Sequence, residues 1–261
     1  MMLTPNTYAT SEAVKRVFHS LPVPSLLVDA GCGNGFHLCH TKANRKIGID
    51  LNMTGFSLPA NKNIEAIKGD FRFMPFREGT IDCLMSLDSI EHVEEDENTI
   101  AEFHRILRIE GFLILTTPTK CEYLPAPLRR LSQLDTAKFH RKWGHAHSGY
   151  DDEEILNLLK RGNFEIVIHQ HFKAMLTRTL TALIWGTVLD VYSRGKSGVE
   201  IYRPRPKGRI ATALENVHDF IFRHTLAYLV KYIEERDSNA GFTHLVIARK
   251  TNRKPKSITQ G

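Results

Sequence analysis

The feature that most constrains the fold of this chain is an apolar stretch that runs into a glycine-rich turn, Leu27–Gly35. A second apolar stretch follows and ends in an acid, Asp50. Glycine lets a backbone turn tightly and approach a ligand closely, and an acid at the end of the next strand accepts hydrogen bonds from ribose hydroxyls. The pattern therefore indicates a site for a nucleoside-bearing cofactor at the first crevice of a parallel sheet.

The spacing of the glycines distinguishes two kinds of cofactor. A dinucleotide site requires G-x-G-x-x-G, in which the third glycine allows close packing of helix and strand. Here Gly31, Gly33 and Gly35 form G-x-G-x-G, and Phe36 stands where the third glycine of the dinucleotide pattern would fall. After Asp29, this turn resembles motif I of the class I S-adenosylmethionine-dependent methyltransferases.

Four further segments resemble the same family and occur in its order. The subgroup they resemble is type 11, which includes enzymes similar to those of ubiquinone and menaquinone biosynthesis. The segments are Gly69–Phe71, Ile81–Leu87, Ser89–Val93 and Glu102–Pro118. The one departure is Ile109–Gly111, where the family usually has Pro-Gly-Gly; we expect this turn to lie on the side of the sheet away from the cofactor.

The alternation of strand and helix patterns predicts an α/β fold with a parallel sheet. The resemblance implies a Rossmann-like three-layer sandwich whose seven-stranded, mostly parallel sheet has the order 3-2-1-4-5-7-6, with strand 7 antiparallel. Residues 1–250 are predicted to form one methyltransferase domain, with a helical insertion at 173–240 between strands 6 and 7. Residues 251–261 are predicted to be a disordered basic tail.

The resemblance implies S-adenosyl-L-methionine as cofactor and S-adenosyl-L-homocysteine as product. It places Asp50 on the ribose, and the alternative for Asp50 is a polar strand end without a ligand. The remaining residues assigned to the cofactor are Asp29, Gly31, Cys32, Gly33, Asn34 and Gly35 in the methionine half, Leu51, Asp70 and Phe71 at the adenine, and Leu87 and Asp88 through their backbone.

Histidines supply the candidates for acid–base chemistry. His92 follows strand 4 at the crevice where open α/β sheets bind ligands, so it is the predicted general base, with packing or cofactor positioning as the alternative. His145, His147 and Tyr150 are predicted to contact the acceptor, and the alternative is anchoring of their loop. No metal site is predicted, because no Cys, Asp or Glu completes a ligand set at recognisable spacing.

Positive charge is concentrated in two segments, the loop at 193–209 and the C-terminal tail. The net charge is +6, and residues 193–209 carry six Lys or Arg against the single acid Glu200. This basic loop joins two amphipathic stretches, so the insertion is predicted to be a lid, a homodimer interface or a membrane-surface element. The alternative is that both helices pack onto the domain.

The chain has no apolar run of membrane-spanning length, no signal pattern at its N-terminus and no C-x-x-C pair. These features predict a cytoplasmic protein, and peripheral contact with a membrane is left open.

These observations predict a methyltransferase acting on a small-molecule, lipid or glycan acceptor, with methylation of oxygen favoured. One alternative is an RNA (tRNA) methyltransferase, since some tRNA wobble-uridine enzymes share the G-C-G-N-G turn and the basic segments would follow phosphates. Apolar insert helices make nucleic acid the less favoured partner. The other alternative is a non-catalytic cofactor-binding or scaffold protein.

Overall fold

The computed structural model describes residues 5–53, 56, 64–120, 145–172, 227–236 and 241–252. The helices are α1 (Pro5–Ser20), α2 (Phe36–Cys39), α3 (Asp96–Ile106), α4 (Asp152–Arg161) and α5 (Ala227–Arg236), with a short 3-10 helix at Ile90–His92. The strands are β1 (Leu26–Ala30), β2 (Arg45–Asp50), β3 (Ile64–Lys68), β4 (Ile81–Leu87), β5 (Leu107–Pro118), β6 (Phe164–Phe172) and β7 (Thr243–Lys250).

The seven strands form one sheet in the order β3-β2-β1-β4-β5-β7-β6. Strands β1 to β5 pair in parallel, and β7 pairs antiparallel with both β5 and β6. This arrangement confirms the predicted order and the antiparallel seventh strand. The strand order reverses between β1 and β4, and a crevice for a ligand opens at such a point outside the carboxyl ends of the strands.

Both faces of the sheet are covered, which explains the continuous apolar runs of the central strands. Val28 and Leu113 contribute to a core on the face that carries α3 and α4. Leu27 and Ile114 contribute to a second core, against α1, on the other face. Because neighbouring residues of a strand point to opposite faces, each apolar strand supplies both cores and holds three layers together.

Helix α1 begins earlier than its sequence pattern predicts. The sequence predicts a short helix over residues 10–19, with Ser11 as its N-cap. This start is wrong, because the helix begins at Pro5, a residue that helices tolerate in their first turn. Ser11 lies inside the helix, and its hydroxyl lies 3.1 Å from Nδ1 of His37. The predicted apolar face of Val14, Val17 and Phe18 is buried, as expected.

Part of the predicted insertion packs onto the domain. Ala227 and Val230 of α5 are buried, Val230 in the same core as α1 and Ala227 against Tyr8 and Phe36. For this helix, the amphipathic pattern therefore reflects core packing. The first amphipathic stretch and the basic loop 193–209 lie outside the described residues, as does the tail from 253. None of the described helices has the length and hydropathy needed to cross a bilayer.

The sequence predicts that helix α4 begins with acids at 151–154 and ends at Gly162, and the structure confirms both ends. Asp151 caps it, accepting a hydrogen bond from the backbone of Glu154, whose side chain in turn accepts one from the backbone of Asp151. Gly162 is the C-cap with a φ of −73°, and the left-handed conformation, with a φ of 63°, is taken by the following Asn163. Gly162 lacks a side chain for another reason: a Cβ there would lie 2.3 Å from Ile100.

Candidate active site

The turn after β1 depends on glycines in the left-handed conformation. Gly31, Gly33 and Gly35 have φ values of 80°, 54° and 76°. Any other residue in this conformation costs about 1–2 kcal/mol, so the sequence of the turn follows from its shape. The backbone N–H groups of Gly31 and Cys32 both donate to the carbonyl of Ile49, at 2.9 and 3.0 Å, and tie the turn to the end of β2.

The first two glycines of the turn differ in what surrounds them. A Cβ on Gly31 would lie 2.4 Å from the hydroxyl oxygen of Ser89, so this position is closed by the protein itself. A Cβ on Gly33 would meet no described atom within 4 Å. Gly33 therefore faces open space in the crevice, where a ligand can approach the backbone.

Asp50 lies against this turn, where the sequence pattern predicts a ribose-binding acid. Its Oδ2 accepts a hydrogen bond from the N–H of Gly33, and its Oδ1 accepts one from the N–H of Asn52, both at 2.8 Å. An ionised carboxylate has about four acceptor positions. Two positions remain after these contacts, which is the number that a pair of ribose hydroxyls requires.

Asp29, at the end of β1, is a buried acid with an unsatisfied oxygen. Its side chain is 2% exposed, and its Oδ1 accepts no hydrogen bond within the described structure. Burial, together with the nearby Asp50, raises the pKa of Asp29 to about 8. Since buried polar atoms almost always have a partner, this oxygen indicates a missing donor at the crevice.

The three residues that are predicted to contact the adenine differ in their exposure and in their partners. Leu51 is 62% exposed beside Asp50, as a residue that covers a flat ring would be. The ring of Phe71 is buried 6.2 Å from that of Phe103, so only its backbone is left for the ligand. Asp70 is held by Arg72, with Oδ2 and Nη2 2.7 Å apart, and this guanidinium lowers the pKa of Asp70. An adenine amino group would share the carboxylate with Arg72.

The end of β4 carries local strain. Asp88 has a φ of 48°, a conformation that residues other than glycine rarely adopt. Thr116 of β5 holds it there: its hydroxyl donates to Oδ1 of Asp88 at 3.0 Å, and its carbonyl accepts from the backbone of Asp88 at 2.9 Å. Leu87, the preceding residue, is buried. Strain of this kind is concentrated at functional sites, here on the β4 side of the crevice.

Two of the predicted catalytic histidines lie side by side. The rings of His92 and His145 meet edge to face with their centroids 4.5 Å apart. Backbone hydrogen bonds to the carbonyl of Glu91 from Ala146 and His147, at 2.8 and 3.0 Å, fix the loop that carries His145 against the 3-10 helix. His92 itself is exposed. The tertiary structure thus forms a histidine pair beside the end of β4 from two separate segments.

Tyr150 occupies an anchoring position. Its side chain is buried, and its hydroxyl donates to Oδ2 of Asp96 at 3.1 Å. Burial and the negative charge of Asp96 raise the pKa of Tyr150. His147 lies beside the same carboxylate, with Nε2 3.8 Å from Oδ2 of Asp96. For Tyr150 this geometry favours loop anchoring, the alternative interpretation, over contact with an acceptor. Nε2 of His147 is buried and has no hydrogen-bond partner among the described residues, so contact with an acceptor stays a prediction for His147.

Comparison with known proteins agrees with this crevice. The model of the type 11 methyltransferase domain matches residues 28–115, which include the glycine turn, Asp50 and the end of β4. Over these residues the chain carries the type 11 domain of the class I S-adenosylmethionine-dependent methyltransferases. S-adenosylmethionine is the cofactor of this family.

Individual relatives match over short spans. A tRNA (carboxymethyluridine(34)-5-O)-methyltransferase of Xenopus tropicalis is 34% identical over 90 residues, 34% of this chain and 14% of the relative. A malonyl-[acyl-carrier protein] O-methyltransferase of Hamiltonella defensa is 28% identical over 97 residues, 36% of this chain and 38% of the relative. The chain thus spans well under half the length of these two relatives.

A solved structure extends the likeness to nearly the whole chain. The crystal structure of the [4+2]-cyclase SpnF superposes with a TM-score of 0.56 at 18% identity and covers 92% of this chain and 82% of its own. SpnF is named for a cyclisation, so the fold that it shares with this methyltransferase-family chain does not by itself determine a reaction.

The crevice fits the family cofactor. S-adenosylmethionine carries an ammonium and a sulfonium, and the unsatisfied oxygen of Asp29 is a suitable acceptor for a cationic donor. Open space at Gly33 and the remaining acceptor positions of Asp50 suit a methionine chain and a ribose.

Sequence reasoning missed several residues that shape this site. They are Arg72, Ser89, Glu91 and Thr116. Ser89, Glu91 and Thr116 lie in segments that resemble the family, but their contacts here are with segments distant in the sequence. Arg72 binds Asp70, two residues before it, and also Glu95. The one usable signal was the position of Thr116 at the carboxyl end of β5, the edge where ligands bind.

Proposed function

We propose that this chain transfers the methyl group of S-adenosylmethionine to an oxygen atom of an acceptor. The observation that carries the proposal is the unsatisfied buried oxygen of Asp29 beneath a glycine turn that opens at Gly33. Bound cofactor would supply the electrophilic methyl group. The part of the protein is to orient the two reactants and to exclude water.

In this proposal each group of predicted residues binds a different part of the cofactor. Asp29 accepts from the methionine ammonium, and the backbone of Gly31, Cys32, Gly33, Asn34 and Gly35 lines the methionine half. Asp50 accepts from the ribose hydroxyls. Leu51, Asp70 and the backbone of Phe71 contact the adenine. The backbone of Leu87 and Asp88 passes beside the cofactor.

A carboxylate oxygen is the acceptor atom that we favour. The names of the Xenopus and Hamiltonella relatives specify methylation of oxygen, on a carboxymethyl and a malonyl compound. A free carboxyl group is ionised at neutral pH, since its pKa lies near 4, so no general base is required. His92 and His145 would then orient the carboxylate as hydrogen-bond donors, whereas an alcohol acceptor would require one of them as a base.

The acceptor molecule is proposed to be a small molecule, lipid or glycan intermediate reached beneath the insertion at 173–240. Two described features support an insertion over the crevice. Phe172, the last residue of β6, pairs with Thr243 of β7, so the intervening chain leaves and returns at one place. Helix α5, which belongs to this insertion, contacts Phe36 directly after the glycine turn. We propose a single domain over residues 1–250 on the same grounds.

A tRNA is the second candidate acceptor, and the Xenopus relative supports it. Both candidate acceptors would be methylated on a carboxylate oxygen, but a tRNA is much larger and more negatively charged than a small molecule, lipid or glycan intermediate. A tRNA would bind through phosphate contacts, and its methylation would weaken steeply with added salt.

Label transfer from S-adenosylmethionine with a tritiated methyl group tests the proposal. The purified protein is incubated with a metabolite and lipid extract in one arm and with bulk tRNA in the other, and labelled product is then treated with mild alkali. A methyl ester releases labelled methanol, whereas an ether or N-methyl product retains its label. We expect alkali-labile label from the extract; label only in tRNA supports the second candidate. Label that resists alkali would contradict a carboxylate acceptor, and absence of cofactor binding would contradict the methyltransferase proposal.

A further inference from the structure

Three histidines and one aspartate meet at the edge of the sheet, away from the glycine turn. His169 and His171 lie on β6, His244 on β7, and Asp152 in the first turn of α4. One ligand atom from each, an imidazole nitrogen or a carboxylate oxygen, lies within 4.8 Å of all the others. The sequence predicts no metal site because no acid accompanies His169 and His171 at recognisable spacing. The fold supplies Asp152, 19 residues before His171, and His244, 75 residues after His169.

Three of the six distances between ligand atoms are close to the edge of a tetrahedron around a small metal ion. With metal–nitrogen bonds of about 2.0–2.1 Å, tetrahedral ligands lie about 3.3 Å apart. Here Nε2 of His169 lies 3.0 Å from Nδ1 of His244, and Nε2 of His171 lies 2.9 Å from Oδ1 of Asp152. The carboxylate oxygen lies 3.7 Å from Nδ1 of His244. Shifts of a few tenths of an ångström bring these three distances to the tetrahedral value.

Hydrogen bonding fixes the buried histidine in the state that a metal ligand requires. Nε2 of His244 lies 2.9 Å from the carbonyl oxygen of Tyr150, which can only accept, so Nε2 carries the hydrogen. The lone pair of Nδ1 therefore points toward His169 and Asp152. Donation from the second ring nitrogen to a backbone carbonyl is the usual way in which a protein orients a metal-binding histidine.

The exposure and the ligand types of the cluster are also suitable for a metal ion. His244 is completely buried, while Asp152 is 59% exposed and leaves a path by which an ion reaches the cluster. Three imidazole nitrogens and one carboxylate oxygen form a borderline donor set that suits zinc rather than magnesium or calcium.

We propose that Asp152, His169, His171 and His244 form a zinc site. All four positions come from the protein, so the ion is structural and has no open position for a substrate. It joins β6 and β7 to the beginning of α4. Through the carbonyl of Tyr150, it also fixes the end of the loop that carries His145 and His147.

Zinc titration of tag-free, chelator-treated full-length protein tests the site. Zinc affinity is measured by competition with a chromophoric chelator, and Co²⁺ is added separately because a tetrahedral cobalt site has intense visible absorption. The variants Asp152→Asn and His171→Gln remove ligands from exposed or half-buried positions. The matched controls are Glu153→Gln, an exposed acid in the same helical turn, and His19→Gln, an exposed histidine on α1.

We expect one zinc ion per chain, and a loss of affinity of about tenfold or more in Asp152→Asn and His171→Gln but not in the controls. Zinc should also raise the Tm of the wild type and of the controls, and raise it less in the two ligand variants. His92→Gln distinguishes this cluster from the group of Glu91, His92 and His145, whose ligand atoms are also close together. Absence of zinc binding, equal binding by Asp152→Asn and the wild type, or loss of binding only in His92→Gln would each overturn the proposal.

Discussion

Oδ2 of Asp50 lies 2.8 Å from the backbone nitrogen of Gly33 and joins the end of β2 to the turn after β1. The acid thereby stabilises the turn at the same position where it would bind a ribose. A single carboxylate thus links the shape of the glycine turn to the recognition of the cofactor, and the two roles are separable by experiment.

Replacement of Asp50 by asparagine is expected to weaken S-adenosylmethionine and S-adenosylhomocysteine binding by about 10–100-fold, because hydrogen bonds to a charged acceptor contribute about 1.5–3 kcal/mol. Calorimetry measures both ligands. Glu110→Gln serves as the control and should bind like the wild type. Glu110 is an exposed acid near the amino end of β5, whereas Asp50 lies at the carboxyl end of β2. Equal affinity of Asp50→Asn and wild type would remove Asp50 from the cofactor site.

The two glycines that differ in their surroundings should respond differently to alanine. At Gly33 the added methyl group meets open space, so Gly33→Ala should fold with a loss of about 1–2 kcal/mol from its left-handed backbone. It should nevertheless bind S-adenosylmethionine about tenfold or more weakly, since about 1.4 kcal/mol of lost contact has that effect. Gly31→Ala should be much less stable, because its Cβ overlaps Ser89. Urea unfolding and calorimetry separate the effects; a Gly33→Ala protein with unchanged affinity would contradict an approach of the ligand at this glycine.

Asp29 should make stability depend on pH. In the folded protein the carboxyl group of Asp29 keeps its proton up to about pH 8, whereas in the unfolded chain it loses the proton near pH 4. Between these values folding takes up a proton, so the Asp29 contribution to the free energy of unfolding falls by about 1.4 kcal/mol for each pH unit of increase. Urea unfolding of wild type and Asp29→Asn from pH 5 to 8 checks this. The variant should gain relative stability as pH rises, and a constant difference between the two proteins would show that Asp29 is ionised when folded.

Tyr150→Phe distinguishes anchoring from catalysis. Loss of the hydrogen bond to Asp96 should lower the free energy of unfolding by about 1 kcal/mol. Cofactor affinity and the rate of methyl transfer should stay within about threefold of wild type, a change below about 1 kcal/mol. Thermal unfolding and the label-transfer assay provide the two measurements. A rate reduced a hundredfold in a protein of nearly unchanged stability would instead assign Tyr150 to the reaction.

Local patterns predicted the sheet well and helix ends less well. The alternation of strand and helix patterns predicted a parallel α/β sheet, and the resemblance to the family implied the strand order that the structure shows. The start of α1 was wrong, because Pro5 extends the helix beyond the first periodic residue. Gly162 ends α4 as predicted, but its contact with Ile100, which is distant in the sequence, could not be predicted.

The sequence alone determined the fold and predicted the position of the cofactor crevice, because the residues that carry the family resemblance are close together in the chain. Only the tertiary structure decided which side chains are partners across segments. Arg72 binds Glu95, Asp96 holds Tyr150, and Asp152 and His244 complete a group with His169 and His171. The physical reason is that sheet pairing and helix packing set these distances, and no spacing along the chain records them.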